Sequence, residues 1–412
     1  MNKTRVLFVD DDPNAIAGLQ RLLRKQRDAW DMSFAASGEE ALARLAAAPH
    51  DVIVTAMRMA GMDGAALLER VVQGYPRMAR IVLSGYPGEE GTRKAVNLAH
   101  RFLSKPIEAD RLIDAVARAC AAQGFAGNER LRDIVGGCQT LPSLPTLYLE
   151  ITQAANSECA DAQTVGRIIG RDIAMSAKLL KLVNSSFFGI GRRVSSVAEA
   201  VALLGIVRIK ALVLSEQVFG QFAPKQPLHR FSIDQLWSHS YEVAEVSRLI
   251  SKAEKQGGDR PDQAFTAGVL HDVGILLLAS HHTKIFDAMM AVVERDGRPQ
   301  CAVEKETFGV THEEVGEYLL TLWGLPPRIV EAVALHHHPG QINYNGLCAA
   351  SCVHVADAVL TAMQKSRAGA GCEPVVPALD LAYLKRLGMD DRVAAWTELA
   401  SLVVDRVMAV SA

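Results

Sequence analysis

The chain has 412 residues, 49% apolar and 22% charged, so it can hold two or three domains of about 150 residues and is too apolar for wholesale disorder. Lysine and arginine number 44 against 46 aspartates and glutamates, and the net charge of -2 excludes a global electrostatic footprint for nucleic acid or an anionic membrane. The 7 cysteines are scattered, with no CxxC pair, which excludes a disulfide scaffold and predicts buried or free thiols in the cytoplasm.

The chain runs at once into the apolar segment Arg5–Val9, which leaves no room for a signal-peptide apolar region and predicts a first strand. A helix near Asn14–Arg27, a strand Met32–Ala35, a helix near Glu39–Ala47 and a strand Asp51–Val54 follow. Next come a helix near Gly64–Gln73, a strand Arg80–Leu83, a helix near Glu89–Ala99, a strand Arg101–Ser104 and a last helix near Ile107–Ala122. This alternation predicts an α/β doubly wound domain with a parallel five-stranded sheet over residues 1–122, its polar site at the carboxyl ends of the strands. Residues 123–138 are rich in glycine and charge and read as a linker.

From Thr146 onward the pattern is almost wholly helical, which predicts an all-α domain over 139–340 with a C-terminal helical part over 341–412. Ile169, Ile173, Ala177 and Leu180, at spacings of four, four and three, predict one continuing amphipathic face. Ser196 with Glu199 is a capping-box signature, and Gly205 closes the helix it opens. The most apolar stretches, Val201–Ser215 and Gly268–Ser280, are cut by Arg208 and Lys210 or by His271 and Asp272, so no plain membrane span is expected. No basic helix-turn-helix or basic tail follows the first domain, so direct nucleic-acid binding is not expected.

The four strand ends deliver Asp10-Asp11-Asp12-Pro13, Thr55-Ala56-Met57, Ser84-Gly85 and Lys105-Pro106 to one edge. With the motifs VLFVDDDP, MRMAGMDG, IVLSG and FLSKP, residues 1–122 resemble the receiver domain of two-component response regulators. The resemblance implies that Asp10 and Asp11 hold magnesium, that Ser84 and Lys105 contact a phosphoryl group, and that Phe102 packs near the fifth strand. It also places Ala56 where the family has its phosphoacceptor aspartate. A methyl group is no nucleophile, so no aspartyl phosphate is expected there, and magnesium binding is expected to be weak or absent. Asp51, at the start of the third strand, and Asp63, in the loop after it, are not expected to substitute.

The segments LPSLPTLYLEI, IIGRDIAMSAKLLKLVNSSFFG and VSSVAEAVALLGIVRIKALVLS resemble the HDOD module, a helical output domain related to HD phosphohydrolases. The resemblance continues through Leu236–Ser240, Gly268–Gly274 and Trp323–Pro326. It implies metal ligands at His239, His271, Asp272, His312, His336, His337 and Asp357. Neutral imidazoles with carboxylates suit a divalent iron, manganese or zinc ion, and ligands spread over about 120 positions converge only in a folded bundle. Taken singly, each histidine also reads as a satisfied core residue; the ordered set is what favours metal. His50, His100, His229, His281, His282, His338 and His354 fall outside the matched positions and are expected in surface or capping roles. Ile275 stands where related HD-GYP phosphodiesterases have lysine, and no GYP segment follows His337, so turnover of a cyclic dinucleotide is expected to be weak.

The expected function is a two-component-type signal transduction regulator that acts through a signalling protein partner or a cyclic dinucleotide. The alternative is a metal-dependent HD-type phosphodiesterase acting on cyclic di-GMP or a related phosphoester. Pairing of receivers through their last helices implies a homodimer.

Overall fold

Val6, Leu7, Phe8 and Val9 are all buried, as a strand with neighbours on both faces of a parallel sheet must be. The computed structural model describes residues 3–75, 78–84, 98–105, 107–124, 131, 145–155, 161–185, 188, 190, 192–222, 228–342, 346–368 and 378–411. They cluster into two compact units, Met1–Thr146 with Tyr318–Leu325, and Leu147–Glu317 with Pro326–Ala412.

In the first unit the strands are β1 (Thr4–Val9), β2 (Trp30–Ala35), β3 (Val52–Ala56), β4 (Ala79–Ser84) and β5 (Arg101–Ser104). Their order is β2-β1-β3-β4-β5, and every pairing is parallel. Val9 pairs with Thr55, so the chain leaves β1 and β3 side by side at the point where the strand order reverses, where doubly wound sheets place their sites. The described helices here are α1 (Pro13–Leu22), α2 (Gly38–Ala47), α3 (Gly64–Gly74) and α4 (Ala109–Gly124). α1 stops short of the predicted Arg27 because a 3-10 turn, Arg24–Gln26, takes over after Leu23. The helix predicted near Glu89–Ala99 lies, up to residue 97, outside the described residues, as does most of the predicted linker.

The second unit is helical. It opens with α5 (Thr146–Ala155), α6 (Ala162–Gly170), α7 (Ile173–Val183), α8 (Val197–Leu204) and α9 (Ile206–Gln221). The single face predicted through Ile169, Ile173, Ala177 and Leu180 does not form. Arg171 and Asp172 break the helix, Asp172 caps α7 through the Met175 amide, and Ile173 is 83% exposed. Met175, Leu179, Leu182 and Val183 carry the buried face instead. Ser196 does cap α8 by accepting from the Glu199 amide, and Gly205, at φ +84°, ends it. The reciprocal bond to Glu199 comes from the Ser195 amide, one residue earlier than the signature implies.

The rest of this unit begins with the long helix α10 (Ile233–Ala253), followed by α11 (Arg260–Leu270), α12 (Val273–His281), α13 (Thr283–Asp296) and α14 (Gln300–Phe308). Then come α15 (His312–Trp323), which belongs to this unit up to Glu317, α16 (Pro327–Leu335), α17 (Ala349–Ala368), α18 (Leu381–Arg386) and α19 (Val393–Ser411). Arg260–His281 is long and apolar enough to cross a bilayer, but 89% of its apolar window is buried inside the protein. Its break at His271-Asp272 separates α11 from α12. Two glycines allow close backbone approach: a Cβ on Gly268 would lie 2.6 Å from Ala244 Cα, and one on Gly274 would lie 2.0 Å from the His312 carbonyl oxygen.

Candidate metal centre

Five segments bring the predicted ligands together. His239 comes from the first half of α10, and His271 and Asp272 occupy the α11–α12 break. His312 opens α15, His336 and His337 follow α16, and Asp357 lies on α17. The contact allowed by Gly274 draws the start of α15 onto the start of α12. It leaves His312 Nε2 3.5 Å from Asp272 Oδ1. His336 Nε2 lies 3.7 Å from the same oxygen, and His271 Nε2 lies 3.1 Å from Asp272 Oδ2. On the other side His239 Nε2 is 3.0 Å from Asp357 Oδ1, and His337 Nδ1 is 3.7 Å from Asp357 Oδ2. The donor atoms of His239, His271 and Asp357, of His271, Asp272 and His336, and of His312, His336 and His337 form three groups, each within 4.8 Å.

The second nitrogen of each buried ring is already engaged. His271 Nδ1 donates to the Gly268 carbonyl at 2.8 Å, His336 Nδ1 to the Val333 carbonyl at 2.8 Å, and His312 Nδ1 to Glu304 Oε2 at 2.7 Å. Bonds of this kind fix the tautomer and aim the Nε2 lone pair of a metal-binding histidine. His271 Nε2 is buried, and although it faces Asp272 Oδ2 at 3.1 Å it makes no well-aligned hydrogen bond, a state that an ion between the two would relieve. Three Nε2 atoms aimed at one carboxylate, in a donor set of imidazoles with two carboxylates, fit a borderline divalent ion.

Charge is balanced within the cluster. Burial alone would raise Asp272 and Asp357, yet the facing histidines hold both carboxyls well below the usual range. Burial opposes charge on His312, but Glu304, itself wholly buried, overrides it and pushes the imidazole up to about 10. Burial and the neighbouring imidazoles drive His336 the other way, well below its ordinary value, so it stays neutral and ready to ligate. Cation uptake at His312 would therefore displace a proton.

At the sheet edge of the first unit, Lys105 Nζ donates to Asp10 Oδ2 at 2.5 Å, and the Asp12 amide donates to Asp10 Oδ1 at 3.1 Å. Asp11 Oδ2 accepts from the Ala60 amide at 2.7 Å. Ala56 ends β3 and is buried. Neither nearby carboxylate fills in for it: Asp51 accepts from the Arg5 amide at the start of the strands, and Asp63 caps α3 through the Ala66 amide. The side chains of Ser84 and Phe102 lie outside the described residues.

Residues 6–117 match the family model of the response regulator receiver domain, and residues 141–339 that of the HDOD domain. The chain carries a receiver domain and an HDOD domain. An HDOD domain protein of unknown function from Geobacter sulfurreducens shares the helical fold, with a TM-score of 0.54 at 23% identity, over 68% of this chain and 96% of that one. An uncharacterized protein of Treponema pallidum is 26% identical over 200 residues, 48% of this chain and 38% of its own length. The hydrogenase transcriptional regulatory protein HoxA of Cupriavidus necator is 34% identical over 161 residues, 39% of this chain and 31% of its own length. The chain thus spans less than half the length of either curated relative.

All seven predicted ligand positions lie in the one cluster, six of them within the matched HDOD residues and Asp357 beyond them, with His337 at the solvent-facing side and 35% of its side chain exposed. Two histidines expected in surface or capping roles are buried. His354 donates from Nδ1 to the His336 carbonyl at 2.7 Å and accepts the Asp380 amide at Nε2, so it braces the backbone of a candidate ligand. Its position three residues before Asp357, on the same helix face, is the signal that could have shown this. His100, in the receiver domain, accepts the Arg80 amide at 2.9 Å and lies against the Arg80 guanidinium. Glu304 has no local signature: eight residues separate it from His312, and only the turn between α14 and α15 joins them.

Proposed function

We propose that the protein is a cytoplasmic signal transduction regulator whose HDOD domain holds a divalent iron, manganese or zinc ion through His239, His271, Asp272, His312, His336, His337 and Asp357. In this reading the HDOD domain acts by binding a signalling protein or a cyclic dinucleotide. Its receiver domain has Ala56 at the phosphoacceptor position and binds magnesium weakly, since Asp10 is engaged by Lys105 and Asp11 by a backbone amide. The observation that carries the metal reading is the convergence of three buried Nε2 atoms on the Asp272 carboxylate.

The accessible side of the cluster, at His337, favours a second reading as a phosphodiesterase. A divalent ion held there would supply Lewis acidity toward a phosphoester. Asp272 and Asp357 would stay ionised to hold it, and His336 neutral. This reading ranks second because Ile275 is buried in α12 and offers no charge to a phosphate.

Metal analysis of protein purified without chelator tests the first reading. Bound metal is expected, and Asp272→Ala should lower both metal content and melting temperature. A ligand at 100 times its Kd stabilises the folded state by about 2.7 kcal/mol. Protein that melts identically with and without added manganese, iron or zinc sinks the proposal. Incubating the loaded protein with cyclic di-GMP separates the two readings: robust product formation, abolished by His271→Ala, would place the phosphodiesterase first.

A further inference from the structure

Behind the histidine cluster, three residues with no place in it face one another. Cys301 lies in the first turn of α14, Glu313 is the second residue of α15, and His338 follows the ligand pair His336-His337. One donor atom from each, a sulfur, a carboxylate oxygen and a ring nitrogen, lies within 4.8 Å of the others. Glu313 Oε1 is 4.0 Å from His338 Nε2. The side chain of Glu313 is 4% exposed, and Oε1 has no hydrogen-bond partner. A buried carboxylate oxygen left without a donor is costly, and a cation within reach removes the cost. His338 has 55% of its side chain exposed and Cys301 is intermediate in burial, so an ion has a path from solvent.

We infer that Cys301, Glu313 and His338 form a second metal site, suited to zinc, that shares no ligand with the histidine cluster. Thiolate, imidazole and carboxylate are the three zinc ligand types, and thiolate discriminates against magnesium, calcium and manganese. Three protein ligands leave a fourth position for water. Binding converts the Cys301 thiol to a thiolate bonded to the ion, and the proton passes to solvent. Adjacent residues on a helix point to different sides, which is why His312 serves one cluster and Glu313 the other. The zinc would tie α14, which carries Glu304, to the two segments that carry His312 and the pair His336-His337.

Cobalt(II) titration of the full chain, in a thiol-free reductant, reads this site apart from the first, because only sulfur ligation gives an intense near-ultraviolet thiolate-to-cobalt band. The wild-type chain should develop the band, and zinc should bleach it. Cys301→Ser should abolish it. Glu313→Gln and His338→Ala should each weaken cobalt binding at least tenfold, and His338, being exposed, can be changed without disturbing the core. Asp272→Ala, which removes a ligand of the other cluster, should leave the band intact, so failure here is distinguishable from failure of the proposed function. No band in the wild-type chain, a band that survives Cys301→Ser, or unchanged affinity in both Glu313→Gln and His338→Ala would overturn the inference.

Discussion

Glu304 decides how His312 behaves. The carboxylate has no exposed surface, accepts the ring Nδ1–H and the backbone amide of His312, and so aims Nε2 at Asp272. Partners of this sort commonly carry a factor of about 10–100 in metal affinity. Glu304→Gln is therefore expected to weaken metal binding about 10–100-fold with the fold retained; a competition titration against a chelator reads it, and unchanged affinity counts against the role. His100 makes a pH argument. Burial, reinforced by the adjacent Arg80 charge, holds its pKa well below the ordinary value, while the unfolded chain titrates near about 6.5. Below that pH the unfolded chain takes up a proton that the folded one refuses, so this contribution to stability is present above about 6.5 and lost as pH falls. Thermal melts should show that His100→Gln loses less stability than wild type on acidification from about pH 7 to about pH 5; an equal loss refutes the assignment.

At the scale of elements, the break between α6 and α7 turns on Asp172. Its carboxylate accepts the Met175 amide at 2.9 Å and satisfies one of the donors a helix start leaves open. Asp172→Ala should cost about 1 kcal/mol, the usual worth of such a cap. Ile173→Ala, one residue on at an exposed position, should change stability by less than about 0.5 kcal/mol. Leu179→Ala, on the buried face, should cost about 2–5 kcal/mol. Denaturant titrations of the three variants give the ranking, and an Ile173 effect equal to that of Leu179 would restore the unbroken face that sequence spacing predicts. The α11–α12 break has a different origin: its apolar helices are core elements, and the interruption places His271 and Asp272 in the histidine cluster.

For the whole molecule, a receiver domain joined to an HDOD domain fits a signal transduction regulator. In the proposed reading, phosphorylation at position 56 is not its input. Incubation with acetyl phosphate should leave no hydroxylamine-labile phosphoryl label, because Ala56 offers no nucleophile. Ala56→Asp should permit labelling, since Lys105 is already present at the same edge. A hydroxylamine-sensitive label on the unaltered chain would show that another carboxylate has taken over, against the engagement of Asp51 by the Arg5 amide and of Asp63 by the start of α3.

The amino-acid sequence by itself determined the parallel α/β receiver and the helical domain after it. Strands buried on both faces must be continuous apolar runs, and β1 and β3 are such runs in the text of the chain. It also determined the cap at Ser196 and the residue types of the candidate metal cluster, which a chemist reads from histidines and aspartates in a family's order. Short-range rules reach no further, because burial and pairing join positions far apart in the chain. Only the tertiary structure decided that Ile173 faces water, that His354 and His100 are buried, and that Glu304 polarises His312 while Asp357 meets His239. Cys301, Glu313 and His338 came together for the same reason: α14, α15 and the end of α16 converge in space, and no spacing along the sequence records that convergence.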